Sequence, residues 1–307
     1  MQKMWHYFWF KPIDVRQFAI LRISFGLLST VYLLQLLPFI DAHFSGNSWL
    51  ANVQLPKLLN WGTWSIFNVQ LGSYSALYSH SVLILGIGAA IAMMVGWKTR
   101  WSIFITWLVL ASLWNRNPLL LDGDDAVLKV MTFYLLLTPC GGAWSIDAQH
   151  HKLPTEAAVW PLRLIQFQIA LIYFVSGWVK FHSAEWLDGS VLQYVLSHPH
   201  YSRFDWSGYF KSAWFVGMLS VLASIIRWWE LLFPFLLLNS YLRRLSLVLG
   251  VMFHIGLLVT MNLRWFPIIM LALYPALLSS HDFRRFLQIS IVKNNVNVLQ
   301  KLISKRL

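Results

Sequence analysis

The stretch LIYFVSGWVKFHSAEWLDG, residues 171–189, passes from unbroken apolar sequence into a polar loop across a single lysine, Lys180, with Trp178 and Trp186 to either side. A lone lysine among tryptophans at the end of an apolar run marks a helix leaving the hydrocarbon of a bilayer. Working outward, apolar runs of about 17–25 residues recur along the chain, the length that crosses roughly 30 Å of lipid. The 307 residues are 58% hydrophobic and 12% charged, whereas soluble domains carry about 25% charged residues. The fold expected is an all-α polytopic membrane protein, a bundle of about eight transmembrane helices.

The first helix is predicted from about Val15 to Ile40, capped by Asp14, and the second from Ser73 to Val95, where Gly86, Gly88, Ala89, Ala90 and Ala92 allow close helix contact. A third, Trp101 to Trp114, leads to NRNPLLLDGDD, in which Asp122 or Asp124 caps the fourth. Pro161 opens the fifth, which ends at Lys180. After a polar segment, 181–211, with a short helix at Ser190–Leu196, come runs at Trp214–Leu238, Leu245–Met261 and Trp265–Leu278. Residues 1–280 thus form the transmembrane domain, and 281–307 a basic amphipathic tail suited to an anionic membrane face. The first apolar run is too long for a cleaved signal and is expected to remain as an anchor.

The net charge of +12 does not point to nucleic acid, since no nucleic-acid motif accompanies it. The cations instead fall in short segments between apolar runs. With the N-terminus inside, Lys98 and Arg100, His150 to Lys152, Arg243 and Arg244, and the tail all lie on the cytoplasmic face of a cell (inner) membrane. That arrangement places both termini in the cytoplasm and needs Trp214–Leu238 to be one long helix; a break near Arg227 would give nine crossings. The single Cys140 excludes a disulfide framework and reads as a buried, inert thiol.

Candidate chemistry centres on Lys180. Its bland reading is a headgroup anchor; its functional reading is a general base, because shelter from water disfavours the ammonium and frees a neutral amine. Glu230 is the acid within an apolar run, and Arg227, one turn away, is placed to pair with it. His254, inside another run, is a core histidine or a proton-transfer group. Asn115 and Arg116 stand beside the Asp122, Asp124 and Asp125 cluster, whose acids caps and first turns explain. Lys129 is expected to pair with Asp125, and Arg22 and Arg264 to snorkel or bond carbonyls. The spacing of His182, His198 and His200 fits no zinc motif, and no metal is expected.

With these residues assembled, the chain resembles the HTTM family, the membrane domain shared with vitamin K-dependent gamma-glutamyl carboxylase. YFVSGWVKFHSAEWLDG, WSID at 144–147 and FHIGLLVTMNLRWFPIIMLA carry the likeness. The resemblance implies that Lys180, three residues after Gly177, deprotonates a reduced quinone of the vitamin K hydroquinone type, and that oxygenation of the quinol then drives glutamyl carboxylation, a lyase-type activity. It makes His254 and Asn115 family positions, and Glu230 an approximate match to a family acid. On this reading Lys180 and His254 are the catalytic residues, and Asn115, Arg116, Glu230 and Arg227 line the substrate pocket. Val179 stands where the vertebrate enzymes have a second lysine, and Arg116 and Asn117 interrupt their Trp-Asn-Asn-His. About 29 residues follow the last apolar run, where the carboxylases continue into a large extracytoplasmic domain, so peptide carboxylation is not expected on the sequence alone. Short bacterial members include membrane factors for maturing a secreted toxin, so the alternative is a non-enzymatic accessory factor for maturation, export or immunity of a secreted peptide.

Overall fold

A computed structural model describes residues 2–46, 48, 64–117, 120 and 122–288. Eight long helices carry the fold: α1 Arg16–Leu36, α2 Ser75–Val95, α3 Thr99–Arg116, α4 Gly123–Leu136, α5 Trp160–Lys180, α6 Ala213–Leu236, α7 Ser240–Thr260 and α8 Phe266–Leu277. Among the described residues, five stretches are long and apolar enough to cross a membrane: those of α1 with its extension to Phe44, α2, α5, α6 and α7. A sixth arises if α8 and Ser280–Gln288, bent by 107° to one another, count as one span. Length and composition thus support five or six of the eight expected crossings. α4 rises only about 21 Å over its 14 residues, and the Arg100, Asn115 and Arg116 ends dilute α3.

Contacts between helix ends define two ends of the bundle. At one, strand β1 (Pro12–Asp14) pairs antiparallel with β2 (Glu156–Ala158), tying the start of α1 to the start of α5. Gln17 donates to the Pro275 and Leu278 carbonyls at the end of α8. At the other, Arg116 donates to the Phe44 and Ser45 carbonyls, and Arg264 reaches Asp122 at 3.5 Å. α1 lies deepest, with Phe18, Leu21, Phe25 and Leu33 almost wholly buried against α2, α4 and α8.

The WSID segment is a structural joint. Gly96 ends α2 in the left-handed region (φ 71°), where a Cβ would strike Arg22 Nη1 and Ser145 Cβ, so glycine is required. Buried Arg22 donates to the Trp144 carbonyl, as one of its two predicted roles has it. Ser145 caps Ile146–His150, and Asp147 caps α3, accepting from Lys98 N (2.9 Å), Thr99 N (2.8 Å) and Thr99 Oγ1 (2.7 Å). Burial alone would push the Asp147 carboxyl up, but these three donors outweigh it and hold it below the usual carboxylate range. Because the folded value is the lower one, this stabilisation is complete above about pH 4 and is lost as pH falls through the folded value. Asp147→Asn is expected to cost about 1–2 kcal/mol at neutral pH and to flatten acid unfolding, measured by thermal melts between pH 3 and 7.

Several expectations are corrected by packing. Asp14 does not cap α1; it accepts from the Arg16 backbone and side chain within the β1 turn. Pro38 ends α1 early, in a 3-10 turn, before Ile40–Phe44. Gly86 meets α3 at Val109, whereas Gly88 faces open space, and the close α1–α2 approach is made by Gly26 against Met94. Lys129 stands 4.1 Å over the Trp114 ring instead of pairing with Asp125, whose carboxylate accepts from the Asp122 backbone. α6 is unbroken at Arg227, as one long helix requires. Cys140 is buried. Between α1 and α2, where the sequence of residues 41–70 reads as a Trp-containing loop, 47 and 49–63 lie outside the described residues, as does most of the basic tail (289–307).

Candidate functional site

Tyr173, Ser176, Gly177 and Lys180 occupy one face of α5, at i, i+3, i+4 and i+7. Gly177 lets α6 come so close that a Cβ there would lie 2.8 Å from Leu231 Cα and 2.9 Å from the Glu230 carbonyl carbon. This crossing delivers Glu230 to the lysine. Lys180 Nζ donates to Glu230 Oε2 at 2.5 Å and to Ser176 Oγ at 2.6 Å, and lies 4.9 Å from the Trp186 ring centroid. The side chains retain 17% and 5% of their exposure, so the charges are paired largely out of water.

The Arg227–Glu230 pair predicted from spacing does not form. Lys180 reaches the carboxylate first, across the helix crossing, while Arg227 donates to the Trp186 carbonyl (2.7 Å) and stacks its guanidinium 4.7 Å over Phe181. Arg227 therefore fastens the 181–189 loop to α6. That loop continues through short helices at Ala184–Leu187 and Val191–Ser197, the second where sequence places one.

Two turns earlier on α5, Tyr173 Oη is 2.7 Å from His254 Nε2 and 2.9 Å from Tyr274 Oη. Its ring stacks on Phe233 at 4.0 Å and meets Trp229 edge-on at 5.2 Å. Gly250 makes room for the Tyr274 hydroxyl, and His254 Nδ1 is buried without a hydrogen-bond partner. Lys180, Glu230 and His254 thus lie along one polar seam at the meeting of α5, α6 and α7. Asn115 and Arg116 lie elsewhere: Asn115 donates to the Trp64 carbonyl, and Arg116 also reaches Asn68, so both are spent on tying α3 to the loop before α2.

Beside the seam is a cavity of about 530 Å³ between α6, α7 and Val191–Ser197, lined by Leu196, Trp206, Leu219, Trp229 and Phe253 among others. Trp229 forms its wall toward Tyr173, its indole N–H donating to Ser246. Lys180 does not line this cavity; its access is through its partly exposed outer side. Tyr173 and Ser176 were legible only as residues sharing the lysine's helical face, and Tyr274 carried no signal of its own. Among the described residues, no group of three or more His, Cys, Asp or Glu is placed to hold a metal ion.

The family model described as the HTTM domain matches residues 10–282, taking in all eight long helices and the whole seam. The chain belongs to the HTTM domain family. Among curated HTTM relatives it is similar to sporulation-delaying protein SdpB of Bacillus subtilis (strain 168), 23% identical over 174 residues, covering 53% of this chain and 53% of SdpB. It is also similar to the uncharacterised protein YitO of the same organism, 28% identical over 195 residues, covering 60% and 62% respectively. This HTTM chain thus spans between about half and three fifths of the length of the curated relatives it matches. No solved structure matches.

Proposed function

We propose that this HTTM protein is a membrane-embedded acid–base catalyst, carboxylase-like in its chemistry, in which Lys180 deprotonates an acidic, lipid-dissolved substrate such as a quinol. The Lys180–Glu230 contact at 2.5 Å carries the reading. Passing the ammonium proton from Nζ to Glu230 Oε2 turns an ion pair into a neutral amine and a neutral acid, with no change in net charge, a transfer that a low-dielectric site tolerates. The amine then takes the quinol hydroxyl proton, leaving a quinolate beside an ammonium. Ser176 and the Trp186 ring hold the ammonium as it re-forms. Tyr173 and His254 supply hydrogen bonds deeper in the seam. Asn115 and Arg116 act in this scheme through the α3 end alone.

The same reading sets the membrane orientation. The end that gathers Lys98, Arg100, Lys152, Arg243 and Arg244 faces the cytoplasm of the inner membrane, and Lys180 faces out. The three shorter helices complete eight passes, α4 and α8 being sheltered among their neighbours rather than bathed in lipid.

The second reading, an accessory factor acting on a secreted peptide, is favoured by the similarity to a sporulation-delaying protein. In it the Lys180–Glu230 pair is a clamp between α5 and α6. Purified protein given a reduced quinone and labelled bicarbonate separates the two. Quinol-dependent epoxide or carboxylate formation, lost in a folded Lys180→Ala protein, supports the catalyst; no turnover with any quinol, alone or with peptide, leaves the accessory role.

A further inference from the structure

At the end of the bundle away from Lys180, a second cavity of about 560 Å³ opens between the N-terminal helix Gln2–Phe10, α5 and the α6–α7 turn. Phe8, Phe167, Leu238 and Pro234 give it an apolar floor, and Arg163 and Arg243 stand in its lining. Trp9 Nε1, Arg163 Nε and Arg243 Nε are all buried there without a hydrogen-bond partner. Arg163 is held in place, donating to Gln166 (2.8 Å) and lying 4.6 Å over the Phe8 ring. Lys11 adds a third positive charge. Burial holds its amine below the usual lysine value, and repulsion from Arg163 and Arg243 lowers it further.

Three like charges at and beside an apolar cavity need an anion, and no acidic side chain supplies one. All twelve of its acidic side chains are described, and none pairs with Lys11, Arg163 or Arg243. Arg244, the next residue, has its carboxylate, Asp282, at 2.8 Å, whereas Arg243 has none among the described residues.

We propose that this cavity binds one anionic phospholipid, its phosphate held between Arg163 and Arg243 with Trp9 as a further donor, and its acyl chains lying on the apolar floor. Basic pockets between transmembrane helices are suited to such headgroups, and Arg forks to the oxygens of a phosphate. A free anion would use the arginines but gain nothing from Phe8, Phe167 and Leu238. The site is separate from the Lys180–Glu230 seam and does not depend on the reading of that seam.

The test is thermal unfolding of the full chain in non-ionic detergent, titrated with phosphatidylglycerol, with phosphatidylcholine of the same acyl chains, or with sodium phosphate at matched ionic strength. Phosphatidylglycerol alone should raise the midpoint, with an apparent affinity that falls about fivefold for each of Arg163→Gln and Arg243→Gln, and roughly twenty-fivefold for both. Lys11→Gln lies outside the long helices and gives a second variant if the arginine changes hinder folding; it should weaken binding by a similar factor. For the wild-type chain, 0.5 M salt should reduce the phosphatidylglycerol shift. Equal shifts with phosphatidylcholine, a shift reproduced by phosphate alone, or undiminished binding by the variants would overturn the proposal.

Discussion

Lys180→Met is expected to destabilise the protein by about 3–5 kcal/mol, because it strands the Glu230 carboxylate in an environment that offers it little water. Glu230→Leu should do comparable damage by leaving the ammonium against Ser176 and Trp186 alone. The double change, Lys180→Met with Glu230→Leu, should recover most of the loss, since an apolar pair of similar volume avoids the desolvation that the ion pair must overcome. Unfolding titrations of the four proteins in one detergent give the coupling energy directly. Additive losses, with no recovery in the double variant, would show that the two groups do not face one another as described. The double variant also divides the functional readings. A clamp can be replaced by apolar contact and leave peptide maturation intact, whereas a proton-transfer pair cannot, and quinol turnover would stay absent in a well-folded protein.

What was legible in the sequence follows from what periodicity can encode. Apolar runs and interfacial tryptophans announced the long helices, and the end of α5 falls at Lys180 as predicted, because the hydrophobic-to-polar change is local. How many helices cross was less legible: run lengths suggested eight, but α4 and α8 are too short to cross by length alone, and a linear reading cannot tell a sheltered helix from a lipid-facing one. Partner choice was least legible. Arg227, three residues away, is the cation nearest Glu230 in sequence, yet Glu230 took a lysine 50 residues away. Which neighbour wins depends on where two helices cross, and that is fixed by Gly177, a residue whose role shows only when α6 is beside it. The placement of Asn115 and Arg116 was illegible for a different reason. Their residue types suit a binding site, but the backbone carbonyls of Trp64, Phe44 and Ser45 needed donors, and these side chains supplied them.

Gly177→Ala should accordingly be among the most damaging single-methyl changes the protein can receive. The added Cβ would meet Leu231 Cα at 2.8 Å and the Glu230 carbonyl carbon at 2.9 Å, and both are backbone atoms that cannot swing aside. α5 and α6 must then separate, at a cost of about 3 kcal/mol for an overpacked contact. The separation falls one turn before Lys180, so it also lengthens the 2.5 Å contact with Glu230 and loosens the Phe233 stack on Tyr173. Gly217 on the same α6 and Gly88 on α2 provide the controls, since a Cβ at either meets nothing within 4 Å. There alanine should be neutral or stabilising by about 0.5–1 kcal/mol, through helix propensity alone. Unfolding midpoints for the three alanine variants decide the matter, together with a lysine-specific label that reacts faster at Lys180 once its carboxylate partner withdraws. If Gly177→Ala is as stable as Gly217→Ala and leaves Lys180 equally protected, the helices do not cross at this glycine, and the pair that the crossing brings together loses its structural basis.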